Sequence, residues 1–443
     1  MPYTPHTKDD ISLMLKEIGL KKEEELFDIV PKKLRAKSFN IPESMSEFEA
    51  FEKLKNIALK NKTDKVLFMG GGYYDHIIPA CVDALSLRSE FYTAYTPYQA
   101  EASQGTLQAL YEYQSLICRL FEMDITNASM YDGGTALAEA ALMSIRVRKK
   151  DKVLLDRRVN PVYKDIIKTY LKTRGFEVVE VGGNGIEFDK DLILKEVDDK
   201  TASYIFQNPN FFGSVENYKE IIRFLHDKKA LAIGLFYPIS LGVLTTPGEM
   251  GVDIACADGQ SLGNYLGFGG ASFGIMTAKK EFMRQIPGRI AGKTVDRFGK
   301  EAFVLTLQAR EQHIRREKAT SNICSNQNLM ALRAAIFLSS IGKEGLKELS
   351  GLNMQKSNYL KNQLSVINGI EIANKAFTFN EFVIKLPIDS SNVLKAFAKE
   401  GIYAGIDLGK FDKNHKNHLL VAVTEKRTKE QMDKFVQLLG EMI

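Results

Sequence analysis

Residues 91–141, FYTAYTPYQAEASQGTLQALYEYQSLICRLFEMDITNASMYDGGTALAEAA, carry three successive signals in one unbroken run. The opening Tyr92-Thr-Ala-Tyr95-Thr-Pro97-Tyr98-Gln99 is irregular, because Pro97 lacks an N–H and holds Thr96 out of the α region. Its rings, with Gln99, Glu101, Ser103 and Gln104 close behind, suit either a pocket wall or half-buried packing. Leu107, Leu110, Tyr111, Leu116, Ile117 and Phe121 then recur at helical steps and predict a helix with one buried stripe. Finally, Asp132-Gly133-Gly134-Thr135 turns straight into an alanine-rich helix. The free N–H groups of such a start either seat an anion or are simply capped, and these residues leave both readings open.

Downstream, short apolar runs alternate with helical stretches. Residues 153–155, 176–181, 202–206, 230–236 and 252–256 read as strands, with helices over 160–173 and 215–227. Strand and helix in alternation imply crossover units and a mostly parallel sheet, whose ligands sit at the carboxyl ends of the strands. Upstream, 66–69 is strand-like and ends in Gly70-Gly71-Gly72. No Gly-Lys-Ser/Thr follows and the G-x-G-x-x-G spacing fails, so close backbone packing competes with substrate contact there. Residues 1–64 look helical and partly amphipathic, with Gly19, Pro31 and Pro42 as breaks. Beyond residue 301 the pattern predicts helices over 302–316, 326–341 and 349–366, then strands at 381–386 and 418–424.

With 443 residues the chain is long enough for two or three domains, and 44% hydrophobic with 26% charged content is that of an ordinary globular protein. A net charge of +5 spread along the chain is too slight to argue for nucleic acid or an anionic membrane. The N-terminus lacks a signal-type apolar core and no run of about 18 apolar residues occurs, so the expected location is the cytoplasm. Cys81, Cys118, Cys256 and Cys324 lack metal-type spacing and read as reduced thiols, mostly buried.

YTPYQAEASQG at 95–105 and NASMYDGGTALAEA at 127–140 strongly resemble the glycine decarboxylase (P-protein) family of the glycine cleavage system, more closely its subunit 1 form. Gly259-Gln260-Ser261-Leu262-Gly263 and REQHIRREKATSNIC at 310–324 match as well. Single-chain members look like two diverged copies of one pyridoxal-phosphate fold, and this chain resembles the first copy. The resemblance implies a fold type I (aminotransferase-like) α/β protein: an N-terminal helical arm (1–64), a large α/β domain with a mostly parallel sheet (65–325) and a small C-terminal α+β domain (326–443). It further implies an oxidoreductase acting with subunit 2 in an α2β2 assembly. Glycine is decarboxylated there and its aminomethyl group passes to the lipoyl arm of the H-protein.

Such a fold needs a phosphate cup, an acid on the pyridine nitrogen and a lysine that forms the Schiff base. Gly133, Gly134 and Thr135 occupy the cup, and Gln207-Asn208-Pro209-Asn210 resembles the turn beside it. The acid is missing, because Leu235-Phe236-Tyr237 stand where it is expected. The lysine is missing too: Gln260 and Ser261 occupy that region, and neither can form the imine. Lys279 and Lys280 look like solvated end charges, and Lys293 sits on a glycine-rich loop. The expectation is therefore a vestigial cup, with pyridoxal phosphate held by the partner subunit and this chain supplying one wall of a shared cleft. Candidate wall residues are Tyr95, Tyr98, Gln99 and Glu101; Arg310, His313 and Arg316 on one helix face either hold an anion or belong to a solvated helix with Glu311 and Arg315 as an i,i+4 pair. His313 has no second ligand nearby, so no metal is expected. An autonomous pyridoxal-phosphate aminotransferase or desulfurase with an unorthodox lysine, or a non-catalytic scaffold, are the competing classes.

Overall fold

The computed structural model describes residues 5–183, 185–323 and 327–443, so Cys324 and Asn326 lie outside the described residues. Met1–Thr63 and Asp64–Ile443 form two compact units. In the first, α1 (Lys8–Glu17) and α2 (Glu47–Ala58) each begin with a capping box, Thr7 with Asp10 and Ser46 with Glu49. Each box satisfies donors that a helix start would otherwise leave bare. Gly19 takes the left-handed conformation just past the end of α1.

The second unit opens with β1 (Val66–Leu67), α3 (Ala80–Ser86), α4 (Ser89–Tyr92) and α5 (Gln104–Phe121). The alternation that follows is β2 (Ile125–Thr126), α6 (Gly133–Arg148), β3 (Lys152–Asp156), α7 (Pro161–Lys172), β4 (Glu177–Val181), α8 (Lys190–Leu194) and β5 (Thr201–Asn208). It continues with α9 (Lys219–Asp227), β6 (Leu231–Phe236), α10 (Pro247–Met250), β7 (Ile254–Asp258) and β8 (Gly274–Ala278). These strands make a seven-stranded sheet in the order β2-β8-β7-β6-β5-β3-β4. The run from β7 to β4 is parallel and β8 is antiparallel to both of its neighbours, which is the mostly parallel α/β sheet expected.

Side chains alternate across the strands, so each face acquires its own core. Leu154, Tyr204, Phe206 and Ala232 pack with Ile117 of α5 and Ile221 of α9. Val153, Leu155, Ile205 and Ile233 pack with Leu137 of α6 and Ile167 of α7. The helix expected at 107–121 is α5, and Leu107, Leu110, Ile117 and Phe121 are its buried stripe.

The helix expected over 302–316 is not there. β9 (Ile290–Val295) and β10 (Glu301–Thr306) form an antiparallel hairpin, and Leu307 at φ 53° ends the strand. The run Ala302-Phe-Val-Leu305 suits either period, and pairing with β9 decides it. Beyond it only α11 (Gln312–Arg315) is α-helical, and Arg316 has φ 53°. Arg310, His313 and Arg316 therefore do not share a helix face.

α12 (Asn328–Ser365), kinked at Gly342, leads to β11 (Glu371–Ile372), β12 (Glu381–Lys385), α13 (Ser390–Lys399), β13 (Ile402–Tyr403), β14 (Ile406–Asp407), β15 (His418–Ala422) and α14 (Lys429–Met442). The second sheet, β11-β12-β15-β14, is antiparallel. Its core joins Phe382 and Val421 to Leu360, Phe397 and Phe435. β1 pairs in parallel with β13 in a separate two-stranded sheet, and Gly70-Gly71-Gly72 runs from it to Glu381 of β12 and Asn160 at the start of α7. No helix among the described residues is long and apolar enough to cross a membrane.

Candidate functional site

The carboxyl end of β7 meets the start of α6. Asp132 caps that helix, its carboxylate accepting the Thr135 N–H at 2.8 Å. The Gly133 N–H instead donates to Asp258 Oδ2 at 3.1 Å. Asp258 also accepts the Gln260 N–H at 3.0 Å and the Ser272 hydroxyl at 2.5 Å. Tyr73 and Tyr163 direct their hydroxyls at it from 3.2 and 3.4 Å. Burial raises the Asp258 carboxyl above its ordinary range, although the donors from Ser272, Gly133 and Gln260 work the other way. The anion seat of the cup is thus filled by a side chain of the same protein. A Cβ at Gly133 would stand 2.9 Å from the Asp258 nitrogen, which shows how closely the two backbones approach.

Gln260 occupies the position where the Schiff-base lysine was sought. Its side-chain oxygen accepts the Tyr74 N–H at 2.9 Å, while its nitrogen donates to the carbonyls of Tyr74 at 3.1 Å and Asn264 at 2.9 Å. Ser261 is buried, and its hydroxyl finds no hydrogen-bond partner among the described residues. The glycine-rich turn 70–72 is drawn in by the same lock: Glu381 accepts the Gly71 N–H at 2.6 Å and the Tyr74 hydroxyl at 2.6 Å. Tyr74 lies 4.4 Å from the Tyr237 ring, and the Tyr237 hydroxyl bonds His76 Nε2. His76 in turn meets Glu425 at 2.8 Å.

What remains open is about 30 Å³, lined by Gly72, Tyr74, Asn160, Tyr163, Phe236 and Tyr237 among others. That is room for about two waters. Three features therefore disagree with pyridoxal phosphate in this chain: Asp258 sits on the helix start, the hollow beside it that Tyr74 and Tyr237 line is only about 30 Å³, and Gln260 and Leu235-Phe236-Tyr237 stand where the amine and the ring-nitrogen acid are required. The residues present do not fit the group.

The lysines weighed from sequence lie elsewhere. Lys279 pairs with Asp253 at 2.6 Å and caps the Gly251 carbonyl at 3.0 Å. It is beyond the amino end of β7, whereas Asp258 is at the carboxyl end, so it is an anchored ion pair rather than a merely solvated charge. Lys280 sits just after it, its N–H donating to Asp124 at 2.9 Å. Lys293 pairs with Glu301 on the exposed part of the β9–β10 hairpin.

The wall candidates separate into two groups. Tyr98 and His313, distant in sequence, meet edge to face at 5.6 Å. Between the two segments stands Arg289, which the sequence reading missed: its Nη2 donates to the Tyr98 hydroxyl at 3.0 Å and its guanidinium lies 5.3 Å from the ring centre. Arg310 grips the same turn, donating to the Gly288 carbonyl at 2.7 Å. Tyr95, Gln99 and Glu101 are exposed, and Tyr95 borders a separate small apolar hollow with Phe91, Leu110 and Leu329. Gln104 fastens this loop to the hairpin, bonding both the N–H and the carbonyl of Phe303 at 2.9 and 2.8 Å.

The family model of the glycine cleavage system P-protein matches residues 1–439. A probable glycine dehydrogenase (decarboxylating) subunit 1 of Citrifermentans bemidjiense is 51% identical over 443 residues, covering 100% of both chains. The counterpart in Carboxydothermus hydrogenoformans is 49% identical over 99% of each. The crystal structure of an inhibitor-bound glycine decarboxylase (P-protein) of the glycine cleavage system superposes with a TM-score of 0.92 at 40% identity, covering 100% of both chains. The Burkholderia pseudomallei sphingosine-1-phosphate lyase, at 14% identity, a TM-score of 0.67 and coverage of 92% and 93%, shares the fold alone. Full-length identity of this order, with a family model that matches residues 1–439, places the chain in the glycine cleavage system P-protein family.

Proposed function

We propose that this chain is subunit 1 of a two-subunit glycine decarboxylase, working in the cytoplasm with a subunit 2 that carries pyridoxal phosphate and its Schiff-base lysine. Together they release the carboxyl of glycine as CO2 and pass the aminomethyl group to the lipoyl arm of the H-protein. One observation carries the division of labour: Asp258 sits on the Gly133 N–H while Gln260 stands where an amine is required. A chain so filled has no chemistry of its own to offer at that cleft.

Its contribution is a wall and a frame. Tyr98, Arg289 and His313 form a cationic and aromatic patch, with Arg310 bracing the Gly288 turn beneath it. A positive charge held under a ring suits a wall facing a carboxylate substrate. Tyr95, Gln99 and Glu101 extend the same loop and complete the surface offered to the partner.

The test is an absorbance spectrum of the purified chain with added pyridoxal phosphate, with and without borohydride, repeated after mixing with subunit 2. Glycine-dependent exchange of bicarbonate only in the mixture, and no reducible adduct on this chain alone, is the expected result. A reducible lysine adduct in the lone chain would overturn it, as would full activity of subunit 2 by itself.

A further inference from the structure

A larger cavity, of about 190 Å³, lies apart from the Asp258 cleft. Arg157, Gly183 and Phe211, which follow the ends of β3, β4 and β5, face Leu408, Phe411 and His415 of the small-sheet side. From β3 the chain crosses to β4 on one side, and β5 lies on the other. In open parallel sheets such a reversal leaves a crevice at the carboxyl ends, where ligands bind, and clefts between lobes serve likewise.

The lining is chemically divided. Phe211 and Phe411 meet edge to face at 5.5 Å, Phe212 lies 5.5 Å from Phe211, and His415 lies 6.3 Å from Phe212. On the opposite rim Glu180 is shared by two ammonium groups, Lys164 at 3.0 Å and Lys168. The Arg157 guanidinium, also on the rim, enters no ion pair among the described residues. Of the lining side chains, Arg157 and Lys164 balance Glu180 and Asp412 with His415 neutral; Lys168, which does not line the cavity, adds a second ammonium on Glu180, so Arg157 is the lining cation left for a ligand. The cavity as a whole, at about 190 Å³, is larger than an apolar cavity of about 150 Å³ that admits benzene.

We propose that this cavity binds a small planar aromatic anion, one ring carrying a phosphate or carboxylate. The ring lies among Phe211, Phe411 and His415, and the charge meets Arg157 and Lys164. Its lining shares no residue with that of the Asp258 cleft.

The test titrates the full-length chain with phenyl phosphate, phenol and inorganic phosphate, read by calorimetry and ligand-observed NMR. Phenyl phosphate is expected to bind saturably and at least about tenfold more tightly than either fragment. Arg157 is exposed and Phe411 is 48% exposed, so alanine at either position leaves the fold intact. Arg157→Ala is expected to weaken phenyl phosphate about tenfold while sparing phenol, and Phe411→Ala to weaken both. Absence of saturable phenyl phosphate binding would overturn the proposal. So would equal affinity for inorganic phosphate alone, or affinities unchanged in both variants.

Discussion

Gln260 holds Tyr74 by both backbone groups, accepting its N–H at 2.9 Å and donating to its carbonyl at 3.1 Å. A side-chain amide offers an acceptor and donors together, whereas a lysine offers donors only. The residue that stands in place of an imine-forming amine thus closes the glycine-rich turn over the site.

Restoring the lysine is therefore expected to harm the chain without giving it a cofactor. Gln260 is 2% exposed, and Gln260→Lys leaves the Tyr74 N–H without its acceptor beside a buried ammonium. A loss of about 2–4 kcal/mol follows, measured by urea unfolding. Borohydride treatment with pyridoxal phosphate is expected to leave position 260 unmodified, and a stoichiometric adduct there would show that the pocket still opens.

Asp258→Ala tests the filled seat directly. The substitution removes the acceptor for the Gly133 and Gln260 N–H groups and for the Ser272 hydroxyl. Destabilisation of about 3–5 kcal/mol is expected. The vacated helix start should then take up an anion, so phosphate should raise the melting temperature of the variant and not of the parent. Equal phosphate sensitivity of the two proteins would argue against the carboxylate as occupant.

Glu381 makes stability depend on pH in a direction opposite to that of most carboxylates. Burial pushes it from 4.5 up to about 7, although the Tyr74 and Gly71 donors work the other way. The folded chain then holds a proton that the unfolded chain has released, so its contribution is full below about pH 4.5 and is lost as pH rises to about 7. The loss is about 3 kcal/mol. Glu425 acts in the reverse sense: burial raises it, but His76 outweighs burial and holds it at about 2. Its contribution is present above the ordinary glutamate range and disappears only as pH falls toward 2. Urea midpoints of the parent and Glu381→Gln between pH 4.5 and 8 should diverge, the variant keeping stability that the parent loses toward neutral pH. Parallel curves would remove Glu381 as the source.

Much of the body was legible because its signals are local. The alternation over 153–256 fixes strands and crossovers through hydrophobic period alone, and the cap and glycines at 132–134 announce α6. Ala302 to Leu305 was not legible, since an unbroken apolar run satisfies a helix or a strand until a partner such as β9 is known. The occupant of the cup was hidden for a similar reason. Asp258 lies 125 residues from Gly133, and no local pattern in the sequence links a carboxylate at one strand end to a helix start that far away. Arg289 is a comparable case: only the meeting of the Tyr98 loop with the turn at Gly288 reveals it.

Tyr98→Phe keeps the ring against His313 but removes the hydroxyl that accepts from Arg289. Tyr98 is about half exposed, so stability should change by no more than about 1 kcal/mol. In the assembled two-subunit enzyme the same change removes one fixed contact of the guanidinium, and exchange of the glycine carboxyl with bicarbonate should fall about tenfold, equivalent to 1.4 kcal/mol. Glu101 is exposed, and Glu101→Gln should lower exchange if that side chain faces the cleft, with no effect on the fold of the lone chain. Both variants are measured beside Lys293→Ala, a change on the hairpin surface that should leave exchange untouched. Unchanged exchange in Tyr98→Phe and Glu101→Gln together would move the wall of the cleft away from this loop, while leaving the Asp258 and Gln260 closure as it stands.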